Sequence, residues 1–285
     1  MIHIEYINNL DNLDNFNSNN HDKICGDLEV KNLDYRTELN KTNLSQYMDL
    51  INYPVSWTYE FNLFESKVLL EACHVGCISG KFPEIYHDEL FDIIDRLNKS
   101  WVEGLWFMRL NTCSPKDSSI KLPYKTPLDI ITSIVTSKRV INGFLYNIDN
   151  NQTTKIYFVK HNNKWDSNRE LRCFVRKKKL TAISQYCWTT CEFFCDFSHQ
   201  ELVILATKIN HYINQKINMI SAQIGTEDMV FDIYLDHDNN LQIVELNSFG
   251  YWLASGSALF HWIKDYDKLY NTNDEIYFRI LKIDK

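Results

Sequence analysis

The sequence predicts an α+β fold built mostly from antiparallel strands, and three stretches carry that expectation. At 229–250, M-V-F-D-I-Y-L-D-H-D-N-N-L-Q-I-V-E-L-N-S-F-G, two alternating apolar runs flank His237-Asp238-Asn239-Asn240, whose residue types suit the turn of a β-hairpin. At 170–185, E-L-R-C-F-V-R and L-T-A-I-S-Q flank a run of lysines and read as a second hairpin. Between the two, Ser198-His199-Gln200-Glu201 is a capping box opening a helix in which Leu202, Leu205, Ile209, Ile213 and Ile220 form an apolar stripe. Hairpins and helices in this arrangement indicate α+β architecture.

The 285 residues can bury a large core, which suggests one large domain or two subdomains. No run of 18 apolar residues exists and M-I-H-I-E lacks a charged-then-apolar leader, so a soluble cytoplasmic protein without a membrane segment is expected. The formal net charge of −7 argues against a general nucleic-acid binder. The 8 cysteines read as reduced thiols. Cys187, Cys191, Cys195 and His199 recur at helical spacing, but ligands in one helical row cannot close a zinc tetrahedron, so they are expected to be small, partly buried residues.

Taken in order, 1–7 reads as a first strand and the Asn/Asp-rich 8–22 as a loop or arm. The apolar 53–57 and 68–72 have no decisive period. From Pro83, Leu90, Ile94, Leu97 and Trp101 space as a helix with acids in its first turn. A strand at 105–111 carries Arg109 and runs into T-C-S-P-K-D, where Lys116 follows; both cations could reach a phosphate, or could simply snorkel and face solvent. Thr126-Pro127 starts a helix expected to turn Leu128, Ile131 and Val135 inward. The segment 142–168 alternates apolar runs with polar turns, its clearest strand being 156–160. In the next strand Arg172 shares a face with Glu170 and Phe174. Lys177-Lys178-Lys179 is read as a solvated turn. Beyond Gly250, Ser255-Gly256-Ser257 is expected to be a flexible turn.

The hairpin at 229–250 is the most informative stretch. If its loop is 237–240, Asp236 pairs with Leu241, and the register puts Asp232 on the face that carries Glu245 and Asn247. Two carboxylates and an amide oxygen suit a hard cation such as magnesium, which takes its remaining ligands from water and nucleotide phosphates. The plain alternative is a polar outer face on an amphipathic hairpin.

Three blocks now stand in order: R-L-N-T-C-S-P-K-D at 109–117, E-L-R-C-F-V-R with I-S-Q at 170–185, and V-F-D-I-Y with V-E-L-N-S-F-G at 230–250. Together they closely resemble the cell division cycle protein 123 family, a branch of the ATP-grasp fold. The resemblance implies two subdomains with mostly antiparallel sheets clamping a nucleotide. Residues 1–100 would be a divergent N-terminal region, 101–165 a lid-like subdomain, and 166–285 a core subdomain with the metal-binding hairpin. It further implies ATP and magnesium as cofactors, with Asp232, Glu245 and Asn247 as metal ligands, Glu245 standing where the family usually has aspartate. Arg109 takes the place of a phosphate-side lysine and Lys116 that of a second cation, while Ser114 sits at a nucleotide-contacting position. Val159, Lys160 and His161 fall on the hinge whose backbone meets the adenine edge, and Arg172 looks like the arginine that reaches the phosphates. Tyr186-Cys187 replaces the family's Arg-Asp after I-S-Q, and Asn247-Ser248-Phe249 replaces N-P-F.

Family members are known as assembly factors of eukaryotic translation initiation factor 2 that bind its gamma subunit, so the same partner is implied here. Two other readings remain open at this stage. One is an ATP-grasp ligase or phosphoryl-transfer enzyme acting on an unknown acceptor. The other is a binding-only domain with a changed partner.

Overall fold

The computed structural model describes residues 1–7, 35–190, 192–253 and 255–282. The arm expected at 8–22 and Cys191 lie outside them. Contacts divide the chain into two compact units, Met1–Tyr53 with Trp165–Lys285, and Pro54–Lys164. Unit 1 opens with β1 (Ile2–Ile7), α1 (Tyr35–Asn40) and α2 (Leu44–Tyr47). Unit 2 comprises β2 (Val55–Phe61), α3 (Leu63–Ser79), α4 (His87–Lys99), β3 (Trp106–Leu110), α5 (Pro127–Val135), α6 (Ile141–Asp149) and β4 (Thr154–Lys160). Unit 1 resumes with β5 (Glu170–Arg176), β6 (Lys179–Gln185), α7 (His199–Ile224), β7 (Met229–Leu235), β8 (Leu241–Ser248), α8 (Tyr266–Leu269) and β9 (Ile276–Leu281).

Unit 2 is a three-stranded antiparallel sheet in the order β2-β4-β3, with its helices gathered on one core. Its two unforeseen helices have local explanations. Asn62 and Glu65 form a reciprocal capping box that opens α3, the N-x-x-E signal that apolar periodicity alone overlooks. In α6, expected as alternating runs and turns, Gly143 lowers helix propensity. It is nevertheless buried against Thr112, whose hydroxyl oxygen would stand 2.7 Å from any added Cβ, so close packing selects glycine there. In α5 the box of Thr126 and Asp129 forms, but Leu128 is exposed, because the buried stripe runs through Ile130, Ile131, Ile134 and Val135.

Unit 1 carries a six-stranded sheet in the order β1-β9-β6-β5-β7-β8. The β5–β6, β5–β7 and β7–β8 pairs are antiparallel, while β9 runs parallel to both β1 and β6. The architecture is therefore the expected mixed α+β with mostly antiparallel pairing. Helix α7 begins at the Ser198–Glu201 capping box and stops at Gly225, whose φ of 70° is the left-handed geometry of a helix C-cap. Its stripe of Leu202, Leu205, Ile209, Ile213, Ile217, Ile220 and Ile224 is buried, each side chain contributing about 1.5–3 kcal/mol of apolar transfer. The β5–β6 turn is local and solvated as expected: Lys177 and Lys178 both have positive φ, and Lys178 and Lys179 pair with Glu227 and Asp274. At the β8 edge of the sheet the Leu246 N–H donates to the Tyr47 hydroxyl at 2.9 Å, which covers one edge group with α2.

Cys187 and Cys195, which recur at helical spacing, do not share an α-helix. Residues 186–190 carry no helix, Cys195 lies in the short 3₁₀ turn Phe194–Asp196, and α7 starts only at His199, after Phe197 and Ser198 have left helical geometry. Cys187 and Cys195 are partly buried thiols outside any disulfide. Among the described residues no helix is long and apolar enough to cross a membrane.

Candidate functional site

In unit 1 the β7–β8 hairpin brings three of the expected residues together by a route the sequence did not suggest. The pairing at the loop end is Leu235 with Leu241, not Asp236 with Leu241, because Asp236 is part of the turn: its carboxylate accepts from the Asp238 and Asn240 amides. A β-bulge between Asp232 and Ile233 then absorbs Val244 as an extra residue, and Asp232 faces Glu245 after all. The two offsets cancel at the position that matters. Asn247, two residues beyond Glu245, donates its side-chain amide to Asp232 Oδ2 at 3.0 Å and to Glu245 Oε1 at 3.5 Å.

Arg172 on β5 stands opposite Asp232 in the β5–β7 register and completes the cluster. Its Nε and Nη2 donate to the two Asp232 carboxylate oxygens, each at 2.8 Å, a parallel bidentate pair. Its Nη1 donates to the Gly256 carbonyl oxygen at 2.7 Å. Burial alone would lower the Arg172 pKa, but the Asp232 carboxylate outweighs it and holds the guanidinium above its ordinary value. The Arg172 guanidinium therefore stays charged across the physiological pH range. Asp232 is 1% exposed and Arg172 8%, whereas Glu245 and Asn247 are only partly covered. On the opposite face of β5, burial pushes the Cys173 thiol well above its ordinary pKa and keeps it neutral.

Two contributors to this cluster escaped the sequence. Tyr186, where the family resemblance predicts arginine, lays its ring 4.9 Å from the Arg172 guanidinium carbon. The loop at 255–257, expected to be a flexible turn, is pinned: besides Gly256, Ser255 accepts from Trp262 Nε1 at 2.8 Å and Ser257 donates to the Phe260 carbonyl oxygen at 2.5 Å. Alternation along β6 could have placed Tyr186 near Arg172, since Arg172 pairs with Ser184, two residues before Tyr186. No sequence signal points to Gly256. Two residues along β7 from Asp232, Tyr234 stacks on Trp165 at 3.9 Å, and the Trp165 indole donates to Glu170 at 2.8 Å, so an aromatic pair adjoins the acid cluster on that face.

The remaining expected residues lie in unit 2. Arg109 is buried on β3, with Nε donating to the Leu110 carbonyl oxygen at 3.2 Å. Ser114 is buried, and its carbonyl oxygen accepts from the Lys116 N–H at 2.9 Å, closing a tight turn that leaves Lys116 exposed. That turn is anchored by Asp117, which accepts from the Ser137 hydroxyl and from the Lys138 N–H. Val159 and Lys160 end β4, paired with Phe107 and Trp106, and the His161 N–H donates to the Leu105 carbonyl oxygen at 2.8 Å. Arg109, Ser114 and Lys116 thus lie on β3 and the turn after it, while Val159, Lys160 and His161 form the end of the neighbouring strand.

The D123 family profile matches residues 77–285. A Xenopus laevis protein named translation initiation factor eIF2 assembly protein is 30% identical over 171 residues, covering 56% of this chain and 48% of its own length. The chain thus spans about half the length of that relative. A protein of Acanthamoeba polyphaga mimivirus described as CDC123-like is 24% identical over 255 residues, covering 87% of this chain and 70% of its own. Among solved structures, Cdc123 from Schizosaccharomyces pombe superposes with a TM-score of 0.61 at 18% identity, covering 90% of this chain and 100% of that one, a likeness of fold.

Proposed function

The chain belongs to the D123 family, and from that membership we propose that it binds ATP with magnesium and acts as an assembly factor for eukaryotic translation initiation factor 2, engaging the gamma subunit. The observation that carries the reading is the meeting of Asp232, Glu245 and Asn247 beside Arg172 on one face of three adjacent strands. The donor set fits the ion. Asp232 Oδ1 accepts from Arg172 Nε and keeps a second lone pair, so Asp232 can hold Arg172 and still offer oxygen. Turning the Asn247 amide about its terminal bond would present its carbonyl oxygen instead of its N–H₂. Magnesium held by Asp232, Glu245 and Asn247 would supply positive charge to offset that of a nucleotide's phosphates.

Arg172 would orient Asp232 and face the phosphates with a fixed, permanently charged fork. The resemblance assigns Arg109, Ser114 and Lys116 to the phosphate side of the nucleotide and the backbone of Val159, Lys160 and His161 to the adenine edge. The eIF2 assembly name borne by a relative supports the proposed partner.

Glu245→Gln tests the reading with little change of shape. Calorimetry should show ATP affinity that depends on magnesium in the natural chain and loses at least about tenfold, or about 1.4 kcal/mol, in the variant. Equal affinity in both would remove Glu245 from the metal set. Capture of the gamma subunit from eukaryotic lysate should be stronger with ATP than without. ATP turnover dependent on a defined acceptor would replace the assembly role with that of a ligase.

A further inference from the structure

Helix α3 is apolar on two opposite faces, and among the described residues only one of them is covered. Leu69, Leu70, Ala72, Cys73 and Gly76 pack into the core of unit 2, so tightly that a Cβ on Gly76 would lie 2.3 Å from the Val135 carbonyl oxygen. On the other side Phe64, Val68, Glu71, Val75 and Ile78 recur at alternating spacings of four and three, the pattern of a coiled-coil seam. Phe64 is 68% and Ile78 83% exposed, Val75 and Glu71 are exposed, and Val68 is partly covered. A helix that is hydrophobic all round ordinarily has neighbours on both faces.

The midpoint of this stripe identifies its occupant. Among the described residues no cation pairs with Glu71, which stands between Val68 and Val75 in the centre of the seam. A second copy is a poor fit. Any two-fold pairing that covers the whole stripe, parallel or antiparallel, sets Glu71 against its own counterpart, and like charges in a closing interface are strongly disfavoured. One polar residue inside an apolar seam selects partner and register when the facing helix supplies its complement.

We propose that this face of α3 docks an amphipathic helix of a partner protein whose apolar stripe carries a lysine or arginine at its midpoint, opposite Glu71. The mode is helix-on-helix burial of Phe64, Val75 and Ile78, with the ion pair fixing register. It makes no use of the cluster at Asp232 and stands whether or not ATP binds there.

The test uses the full chain and two designed helical peptides with identical leucine stripes, one with Lys and one with Glu at the midpoint, read by fluorescence anisotropy. The Lys peptide should bind at least about tenfold tighter than the Glu peptide. Glu71→Lys should invert that order, and Val75→Asp should abolish binding of both while the melting temperature stays put, because the residue faces solvent. Failure of both peptides to bind, equal affinities, or binding retained in Val75→Asp overturns the proposal. So does a natural chain that sediments as a dimer dissociated by Val75→Asp, which would assign the face to a second copy.

Discussion

Unit 1 contains two buried arginines that each grip an aspartate with a guanidinium fork, and their surroundings differ in composition. Arg279 on β9 holds Asp265 through two 2.7 Å bonds and Glu5 on β1 at 2.8 Å, lies 4.3 Å from the Phe260 ring, and shares Glu5 with Lys268. That network joins two cations to two anions and ties the first strand to the last. Arg172 holds Asp232 just as closely, but beside it stand a second carboxylate, Glu245, and the amide of Asn247. Packing alone asks only for the first composition, and apolar residues of similar volume often replace such buried pairs without loss. Setting an acid directly opposite an acid across two strands works against the sheet. The Arg279 network therefore reads as architecture. The Arg172 cluster reads as a place where some stability is given up for binding.

Removing one partner should produce the largest effect, and a larger one at Asp232. Asp232→Ala leaves a buried guanidinium without its bidentate carboxylate and should cost about 3–5 kcal/mol in denaturant unfolding, whereas Asp265→Ala should cost less because Arg279 keeps Glu5 at 2.8 Å. Nucleotide titration then separates them: only Asp232→Ala should lose magnesium-dependent ATP binding under conditions where both variants remain folded. If Asp265→Ala lost it equally, the division into architectural and binding arginines would fail.

Substituting the second acid should be smaller and differ in sign. Glu245→Gln relieves the opposition to Asp232 and should raise stability by roughly 0.2–1 kcal/mol, the range for a cross-strand pair. The midpoint of a denaturant titration measures it. A clear loss of stability would make Glu245 a structural acid like Glu5 and remove the asymmetry on which the comparison rests.

How far the sequence reveals this depends on whether a feature is local. The capping boxes at Thr126 and Ser198, the two hairpins and the stripe of α7 are written in neighbouring residues, and they appear where the sequence puts them. The Asp232–Glu245 pairing was legible only because two deviations compensate, a loop longer by Asp236 and a bulge at Val244, and neither has a distinct residue signature. Contacts between distant segments left no trace in the sequence: Gly256 receiving Arg172, Tyr47 covering β8, and the parallel strands that flank β9. The Arg279 network was equally hidden. Its members, at 5, 265, 268 and 279, meet only because the chain's first and last strands pair.

Acid titration should give the smallest effect and bears on the architectural side alone. Burial raises the pKa of Glu5, but Lys268 and Arg279 together pull it further down, leaving it below its ordinary 4.5. A carboxyl depressed in the folded state stabilises fully above that ordinary value and loses its contribution as pH falls through the folded one. The melting temperature should therefore show no contribution of Glu5 to its pH dependence above 4.5, and an added decline below it. Glu5→Gln should lower the plateau slightly and make the acid limb shallower than in the natural chain. Its neutral amide has no proton to gain, and partial exposure of Glu5 keeps the difference modest because solvent screens the pairs. Superimposable acid limbs would mean that the ion pairs joining β1 to β9 contribute nothing measurable, and that apolar packing of the two strands holds this edge of the sheet without them.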